Sequence, residues 1–276
     1  YVTSKDALNV LPLLPDMFDE PFADSSQIPM YLVSKIAKSK VTVCLSGDGG
    51  DELFGGYNRY LVTSKLWSKI SKIPRPAKGA LAYLIKSVKP SVWDKISDLL
   101  YKNKYSGLGF KLHKGADSLQ SKNIDDLYFN LISTIKNPTE WLISSEEHSS
   151  PNYNFDPKIP GIERMMIKDL VGYLPTDILT KVDRTSMAVS LEARTPFLDK
   201  EIVKFALTLP LEYKIKAGVG KSVLRDVLYK YVPRDMIERP KMGFGVPLAE
   251  WMRGELKVWC EGLLNEKKLK EDGYFN

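Results

Sequence analysis

The chain has 276 residues, of which 43% are hydrophobic, so it can form one large domain or two small ones around a buried core. Its longest apolar runs fall far short of the roughly 20 residues of a membrane-spanning helix, and no membrane span is predicted. Two cysteines and two histidines exclude a disulfide framework and a zinc-type centre, and favour a reducing, cytoplasmic setting. The net charge of +6 suits anionic ligands without identifying one.

The first part of the chain is predicted to contain one helix and one strand. Scattered prolines up to Phe22 predict a loop with short turns. Ser25 and Ser26 precede an apolar periodic run, which predicts a capped helix that ends before residue 41. The β-branched apolar run 41–45, bounded by Ser46, predicts a buried strand of a parallel sheet.

The remainder of the chain is predicted to be mostly helical. Pro74, Pro76 and Pro90 break the pattern between residues 56 and 105. A further helix is predicted near 124–135, and a polar loop at 144–154. Prolines then separate five helices, with Asp199 as an N-cap, predicted over 162–174, 177–191, 199–207, 220–231 and 248–264.

Lysines and arginines are concentrated between Lys65 and Lys104, interleaved with aromatic residues such as Trp67, Tyr83 and Trp93. This pattern is compatible with a nucleic-acid or membrane surface. The pattern is also typical of amphipathic helices with a solvated lysine face and an aromatic core face, and we favour this second interpretation.

A glycine-rich acidic loop, 46–57, follows the predicted strand, where open α/β sheets place their ligand sites. Its glycines, including Gly47, Gly49 and Gly50, let backbone amides approach an anion closely. Asp48, Asp51 and Glu52 would weaken a site for bare phosphate, whereas Mg²⁺ bridging to phosphate oxygens needs such carboxylates. We interpret the segment as a metal-plus-phosphate loop; the alternative is a glycine turn whose acids cap the next helix.

Basic residues later in the chain suit the same chemistry. Lys221 and Arg225 are four residues apart, so on a helix they would share one face and could neutralise pyrophosphate. Gly243 and Gly245 suggest a tight loop near a ligand, with Lys241 as a phosphate contact.

Four charged residues, Asp183, Arg184, Glu192 and Arg194, allow two interpretations that we leave open. They could contact a substrate, or form an ion-pair network that holds helices in register.

Taken together, four blocks in this order resemble the signatures of the asparagine synthetase family, glutamine-hydrolysing type, over most of the chain. The blocks are SGDGGDELFGGY at 46–57, YLPTDILTKVDRTSMA at 173–188 with LEARTPFLD at 191–199, GKSVLR at 220–225 and RPKMGFGVP at 239–247.

The resemblance implies a helix-rich α/β fold, the C-terminal part of a synthetase domain of the ATP pyrophosphatase type with an incomplete parallel sheet. It implies activation of the aspartate side-chain carboxylate by ATP and Mg²⁺ to an acyl-adenylate, then attack by ammonia derived from glutamine. By the same resemblance Ser46 and Gly47 contact the nucleotide and Asp51 holds Mg²⁺. Lys221 meets the pyrophosphate, and Asp48 assists the attack of the amine. Tyr57 and Glu52 are substrate or structural residues.

Two features of the family are missing from this sequence: the glutaminase domain with its N-terminal cysteine, and the Ser-Gly-Gly-X-Asp-Ser loop. We therefore expect a C-terminal piece, with 1–62 as the end of the nucleotide-binding sheet and 63–276 as the helical remainder of the same domain. Alone it is expected to bind ATP poorly and to catalyse little. Homodimerisation stays open.

Two alternatives to this function remain. One is a relative that adenylates another carboxylate, such as a β-lactam-forming synthetase or another amidotransferase. The other is a non-catalytic interaction domain that binds RNA or acidic partners through residues 65–104.

Overall fold

The computed structural model describes residues 3–101, 108–135, 138–143, 155–156, 158–238 and 246–275. This part of the chain is helix-rich. The helices up to residue 135 are α1 (Ser4–Val10), α2 (Leu14–Met17), α3 (Gln27–Lys38), α4 (Gly50–Phe54), α5 (Asn58–Ile70), α6 (Arg75–Lys86), α7 (Pro90–Tyr101), α8 (Leu108–Leu119) and α9 (Ile124–Ile132). The later ones are α10 (Gly161–Val171), α11 (Thr180–Met187), α12 (Lys200–Thr208), α13 (Leu211–Lys214), α14 (Ser222–Leu228), α15 (Arg234–Ile237), α16 (Leu248–Arg253), α17 (Lys257–Leu263) and α18 (Glu266–Asp272).

Four short strands accompany the helices. Strands β1 (Val43–Leu45) and β2 (Glu192–Arg194) pair in parallel, whereas β3 (Ile215–Lys216) and β4 (Val219–Gly220) form a small antiparallel pair. The helix-rich α/β class and the small parallel sheet predicted from the sequence are confirmed in this part of the chain. None of its helices combines the length and hydrophobicity that a membrane span requires.

The chain divides into two compact units. The first contains residues 1–56, 139–149 and 167–276, and the second contains 57–138 and 150–166. The predicted division of the synthetase domain after residue 62 stays a prediction.

Two clusters of buried apolar residues join helices within the described part of the first unit. One joins α1 and α3 through Val10 and Ile28. The other joins α4 and α12 through Leu53, Phe54 and Ala206. This second cluster places α4, the short helix within the glycine-rich segment 46–57, against α12, the first α-helix after β2.

The predicted breaks at Pro74 and Pro90 are confirmed, whereas Pro76 lies in the first turn of α6 and does not break it. Pro74 is the N-cap of α6, and Pro90 is the first residue of α7, positions where the missing amide proton costs no hydrogen bond. The expected N-cap at Asp199 is confirmed, because its carboxylate accepts from the Glu201 amide at 2.9 Å. The predicted loop at 144–154 lies outside the described residues.

Three secondary-structure predictions were wrong. The segment up to residue 17 is helical rather than a loop, because Thr3 and Asp6 form a capping box and Pro12 lies in the first turn of a short 3₁₀ helix. The helix predicted over 248–264 is two helices, α16 and α17, separated at Gly254. The expected helix over 177–191 begins as a π-helix, Leu174–Leu179, before α11.

Strand β1 pairs in parallel as predicted, but it is not buried. Leu45 is 74% exposed and Val43 is 39% exposed, because β1 has one partner strand and open faces in this part of the chain. Strand β2, which had been read only as a charged segment, is that partner.

The basic segment forms amphipathic helices, in agreement with the favoured interpretation, but its aromatic residues are not all inside. Lys78 is buried with its ammonium 5.7 Å from the Trp67 ring centre, whereas Tyr83 is 74% exposed. Lys86 pairs with Asp117.

Candidate active site

The parallel pair β1–β2 fixes the start of the glycine-rich loop. Val43 lies opposite Glu192 and Leu45 opposite Arg194, and the Ser46 amide continues the ladder by donating to the Arg194 carbonyl at 2.8 Å. The loop therefore begins at the carboxyl end of a parallel strand, the edge at which α/β sheets place ligands.

The loop then turns sharply into α4. The Ser46 hydroxyl donates to the Asp48 carboxylate, and the Asp48 amide donates back to Ser46 Oγ at 3.3 Å. Gly49 adopts a left-handed φ of 84°, and a β-carbon at this position would lie 2.4 Å from Leu198 Cδ2. Only glycine combines that backbone conformation with so close an approach.

The predicted metal ligand Asp51 and the predicted pyrophosphate contact Lys221 meet directly. Lys221 Nζ lies 3.0 Å from Asp51 Oδ2, and each side chain keeps 29% of its surface exposed. The Lys221 amide donates to the Phe54 carbonyl at 2.9 Å, which joins the start of α14 to the end of α4. The two residues are 170 positions apart in the chain, and the fold brings them together.

Glycines make this approach possible. A β-carbon on Gly220 would lie 2.1 Å from the Gly55 carbonyl oxygen, and one on Gly56 would lie 2.0 Å from Asp51 Oδ1. Real β-carbons do not approach so closely, so the backbone of the loop and the β4–α14 turn touch without intervening side chains. The glycines in this motif thus position the ion pair as well as bending the chain.

The prediction that Lys221 and Arg225 share one helix face is wrong. Lys221 is the N-cap of α14 with φ of 58°, outside the helix, whereas Arg225 is inside it. The Arg225 guanidinium donates to the Gly220 carbonyl at 3.2 Å and pairs with Glu238 at 3.1 Å. Because the helix begins one residue after the lysine, the four-residue spacing does not align the two cations.

Tyr229 joins the Arg225–Glu238 pair. Its hydroxyl hydrogen-bonds to Glu238 and lies 3.4 Å from Arg225. The Tyr229 hydrogen bond lowers the pKa of Glu238 below its usual value, and Tyr229 also raises the pKa of Arg225. Arg225 therefore has internal partners in this structure.

The charged residues of the next block do not form one network. Arg194 Nε pairs with Glu192 at 2.7 Å within β2, and Arg184 pairs with Asp19. Asp183 is exposed on α11. The predicted network that holds helices in register is therefore wrong for these four residues, and substrate contact stays a prediction.

Sequence reasoning missed a buried charge cluster. The Lys181 side chain, 6% exposed, pairs with Asp24 and lies 3.5 Å from Asp177 Oδ1. Asp24 also accepts from the Ser26 amide at 2.9 Å. The four-residue spacing of Asp177 and Lys181 was visible in the sequence, but Asp24 comes from a distant segment.

The cluster perturbs the pKa values of all its members. Burial raises the pKa of Asp177, and the nearby Asp24 carboxylate raises it further. Burial also opposes charge on Asp24 and Lys181, but their mutual hydrogen bond prevails, so the pKa of Asp24 is lowered and that of Lys181 is raised. The Lys181–Asp24 pair is therefore an ionised link between α11 and the segment that leads into α3.

Three further site residues were predicted: Glu52, Tyr57 and Lys241. Glu52 is 2% exposed and is engaged within the fold. Tyr57 belongs to the second unit, where its ring packs edge-on against Tyr60 and stacks under Arg59 at 4.1 Å. Lys241 lies outside the described residues.

The side chains present fit a magnesium ion bound together with a polyphosphate. Among the described residues, no group of three or more histidine, cysteine, aspartate or glutamate side chains is arranged to hold a metal ion. Mg²⁺ does not need such a cage, because it keeps several waters and binds through one or two carboxylates plus substrate phosphates. The half-buried Asp51 carboxylate, with Lys221 beside it, meets that requirement.

Known proteins similar in sequence to this chain are asparagine synthetases. The family model described as asparagine synthase matches residues 1–276. The chain is 33% identical over 275 residues to asparagine synthetase [glutamine-hydrolyzing] 1 of Bacillus subtilis (strain 168), covering 97% of this chain and 40% of that protein. It is 32% identical over 260 residues to a putative asparagine synthetase [glutamine-hydrolyzing] of Mycobacterium bovis, covering 94% of this chain and 38% of that protein.

The chain thus spans about 40% of the length of these curated relatives. A family model that matches every residue, and relatives aligned over nearly all of the chain, settle its family. The chain belongs to the asparagine synthase family.

Proposed function

We propose that this domain uses ATP and Mg²⁺ to adenylate the side-chain carboxylate of aspartate, releasing pyrophosphate, and that ammonia from glutamine then converts the adenylate to the amide. The observation that carries the proposal is the contact between Asp51 and Lys221, a carboxylate and an ammonium held 3.0 Å apart beside the glycine-rich loop. Relatives named as glutamine-hydrolysing asparagine synthetases support the choice of substrate.

In the first step an aspartate carboxylate oxygen attacks the α-phosphorus of ATP. The bond from that phosphorus to the pyrophosphate oxygen breaks, and the electron pair leaves with the pyrophosphate. In this proposal the Lys221 ammonium stabilises the growing negative charge on the pyrophosphate. Bound Mg²⁺, held by Asp51, would neutralise further phosphate charge.

In the second step ammonia attacks the carbonyl carbon of the adenylate, AMP leaves with the carboxylate-derived oxygen, and the nitrogen loses a proton. Asp48 is the proposed acceptor of that proton. Its carboxylate is held by the Ser46 hydroxyl, which fixes the orientation of the acid at the start of the loop. A positioned carboxylate of this kind typically contributes 10²–10⁴-fold to a proton transfer.

The proposal is tested by aspartate-dependent exchange of labelled pyrophosphate into ATP, with the protein at the full length that its gene encodes. We expect exchange in the wild type, and losses of at least about 100-fold in Asp51→Asn and in Lys221→Met, in line with the removal of a charged transition-state contact. Lys204→Met is the matched control, because it removes a lysine from the exposed Lys204–Glu201 pair.

Two outcomes of this assay would contradict the proposal. Exchange that needs a different carboxylic acid would point to another acceptor, such as that of a β-lactam-forming or other amidotransferase relative. The absence of exchange with any carboxylic acid, in folded protein that binds RNA in a salt-dependent way, would point to a non-catalytic interaction domain.

A further inference from the structure

The carboxylate proposed to hold the metal already has a cation from the chain beside it. Lys221 Nζ lies 3.0 Å from Asp51 Oδ2, the distance of a direct charge-assisted hydrogen bond. Both side chains keep 29% of their surface exposed, so solvent and ligands can reach the pair.

The backbone around the lysine fixes its starting point. Lys221 has φ of 58°, which L-residues other than asparagine and aspartate seldom adopt, and its amide is held by the Phe54 carbonyl. The side chain runs past glycines: a β-carbon on Gly56 would lie 2.4 Å from Lys221 Cε, and one on Gly50 would lie 3.8 Å from Nζ. The lysine is thus held in a left-handed conformation that directs it along the glycine-rich loop, and uncommon backbone conformations of this kind cluster at functional sites.

We propose that Lys221 is a resident counter-ion of Asp51 that changes partner when ligand binds. When magnesium and a polyphosphate arrive together, the Asp51 carboxylate passes to the metal and the ammonium passes to the phosphate oxygens. The inference rests on the proposed function, because it takes Asp51 as the metal ligand. Only side-chain rotation is needed, since the four-carbon stem of lysine moves while its backbone stays fixed.

The exchange has a thermodynamic consequence. A divalent cation that arrives alone must separate the pair and then lie beside an ammonium that has lost its partner. A cation that arrives with pyrophosphate meets no such penalty, because the phosphate oxygens take up the ammonium. Lys221 therefore opposes binding of the bare metal and favours binding of the metal–polyphosphate complex.

The test is a titration of the protein, at the full length that its gene encodes, with Mn²⁺ alone, monitored by electron paramagnetic resonance of the free ion. Removing the ammonium in Lys221→Met is expected to tighten Mn²⁺ binding about tenfold, the order expected from removing one positive charge a few ångströms from a dication in a partly exposed site. Lys221→Gly should do the same, and glycine tolerates the left-handed backbone, so its fold is not in question. Lys204→Met, which removes a lysine from an exposed pair in the same unit, should leave Mn²⁺ binding unchanged.

Equal Mn²⁺ affinity in the wild type, Lys221→Met and Lys221→Gly would overturn the inference. So would a gain that persists in the double variant Asp51→Asn, Lys221→Met, because the gain must come from Asp51. Failure of the proposed function has a different signature: the wild type would then show no aspartate-dependent pyrophosphate exchange, whatever the Mn²⁺ titration shows.

Discussion

Replacing Lys181 by methionine should destabilise the protein strongly, because the buried ammonium is the partner of two carboxylates. The Lys181 side chain is 6% exposed, and Asp24 and Asp177 are 24% and 29% exposed. Removing one partner of a fully buried pair costs about 3–5 kcal/mol, and the partial exposure of the carboxylates places the loss near the lower limit, about 3 kcal/mol.

Thermal unfolding followed by near-ultraviolet circular dichroism measures this loss. A change of about 3 kcal/mol corresponds to a fall of about 6 °C in Tm for a chain of this size. Lys204→Met, which breaks an exposed pair with Glu201, should change the free energy of unfolding by less than about 0.5 kcal/mol. The double variant Asp24→Asn, Lys181→Met should recover part of the loss, because one of the two uncompensated charges is removed.

The same prediction has a pH dependence with a definite sign. The pKa of Lys181 is raised in the folded state. It therefore contributes a stabilisation that is fully present below pH 10.5 and is lost as the pH rises through the pKa of the folded state. The pKa of Asp24 is lowered in the folded state. It contributes a stabilisation that is fully present above pH 3.8 and is lost as the pH falls through the pKa of the folded state. The deficit of Lys181→Met should therefore be full between these limits and shrink in acid. A deficit equal to that of Lys204→Met at neutral pH would refute the reasoning.

Three further predictions concern the free energy of unfolding. Asp177→Asn should stabilise the protein at pH 7, because the raised pKa of Asp177 makes its ionised form unfavourable; the gain should vanish below pH 3.8, and a loss at pH 7 would contradict the assignment. Gly220→Ala should cost about 1–3 kcal/mol through its clash with the Gly55 carbonyl, whereas Gly47→Ala, with nothing within 4 Å, should stay within about 0.5 kcal/mol; equal effects would contradict the close approach. Asp199→Ala should cost about 1 kcal/mol by removing the α12 cap, and a neutral result would show that the cap contributes nothing.

Elements with strong local signals could be predicted from the sequence. Pro74 and Pro90 mark helix starts because proline fits the first turn, and Asp199 caps α12 through a bond made within two residues. Strand β1 was recognisable from its β-branched run, and its partner was not, because parallel pairing joins residues about 150 positions apart.

The errors arise where one local signal has two structural outcomes. The prolines near the start of the chain predicted a loop. Instead Thr3 caps α1, and Pro12 lies in the first turn of the 3₁₀ helix that follows. An apolar strand is buried only if other elements cover it, and Leu45 shows that its faces are open in this part of the chain.

The candidate site was predictable in its residue types and not in its contacts. The acidic loop and Lys221 were identified from motifs. The 3.0 Å contact between Lys221 Nζ and Asp51 Oδ2 could not be, because it depends on Gly56 and Gly220, where a β-carbon would clash with the facing atoms. The Lys181 cluster was missed because Asp24 lies 157 residues away, and no local pattern assigns partners over that separation.

The central claim is that the aspartate side chain becomes an acyl-adenylate, and oxygen isotope transfer tests it most directly. Aspartate labelled with ¹⁸O in its side-chain carboxylate is incubated with ATP, Mg²⁺, glutamine and the protein at the full length that its gene encodes, and the nucleotide products are analysed by mass spectrometry. Adenylation followed by amidation predicts one ¹⁸O atom in AMP for each amide formed. Label in inorganic phosphate, with ADP as the product, would contradict the account.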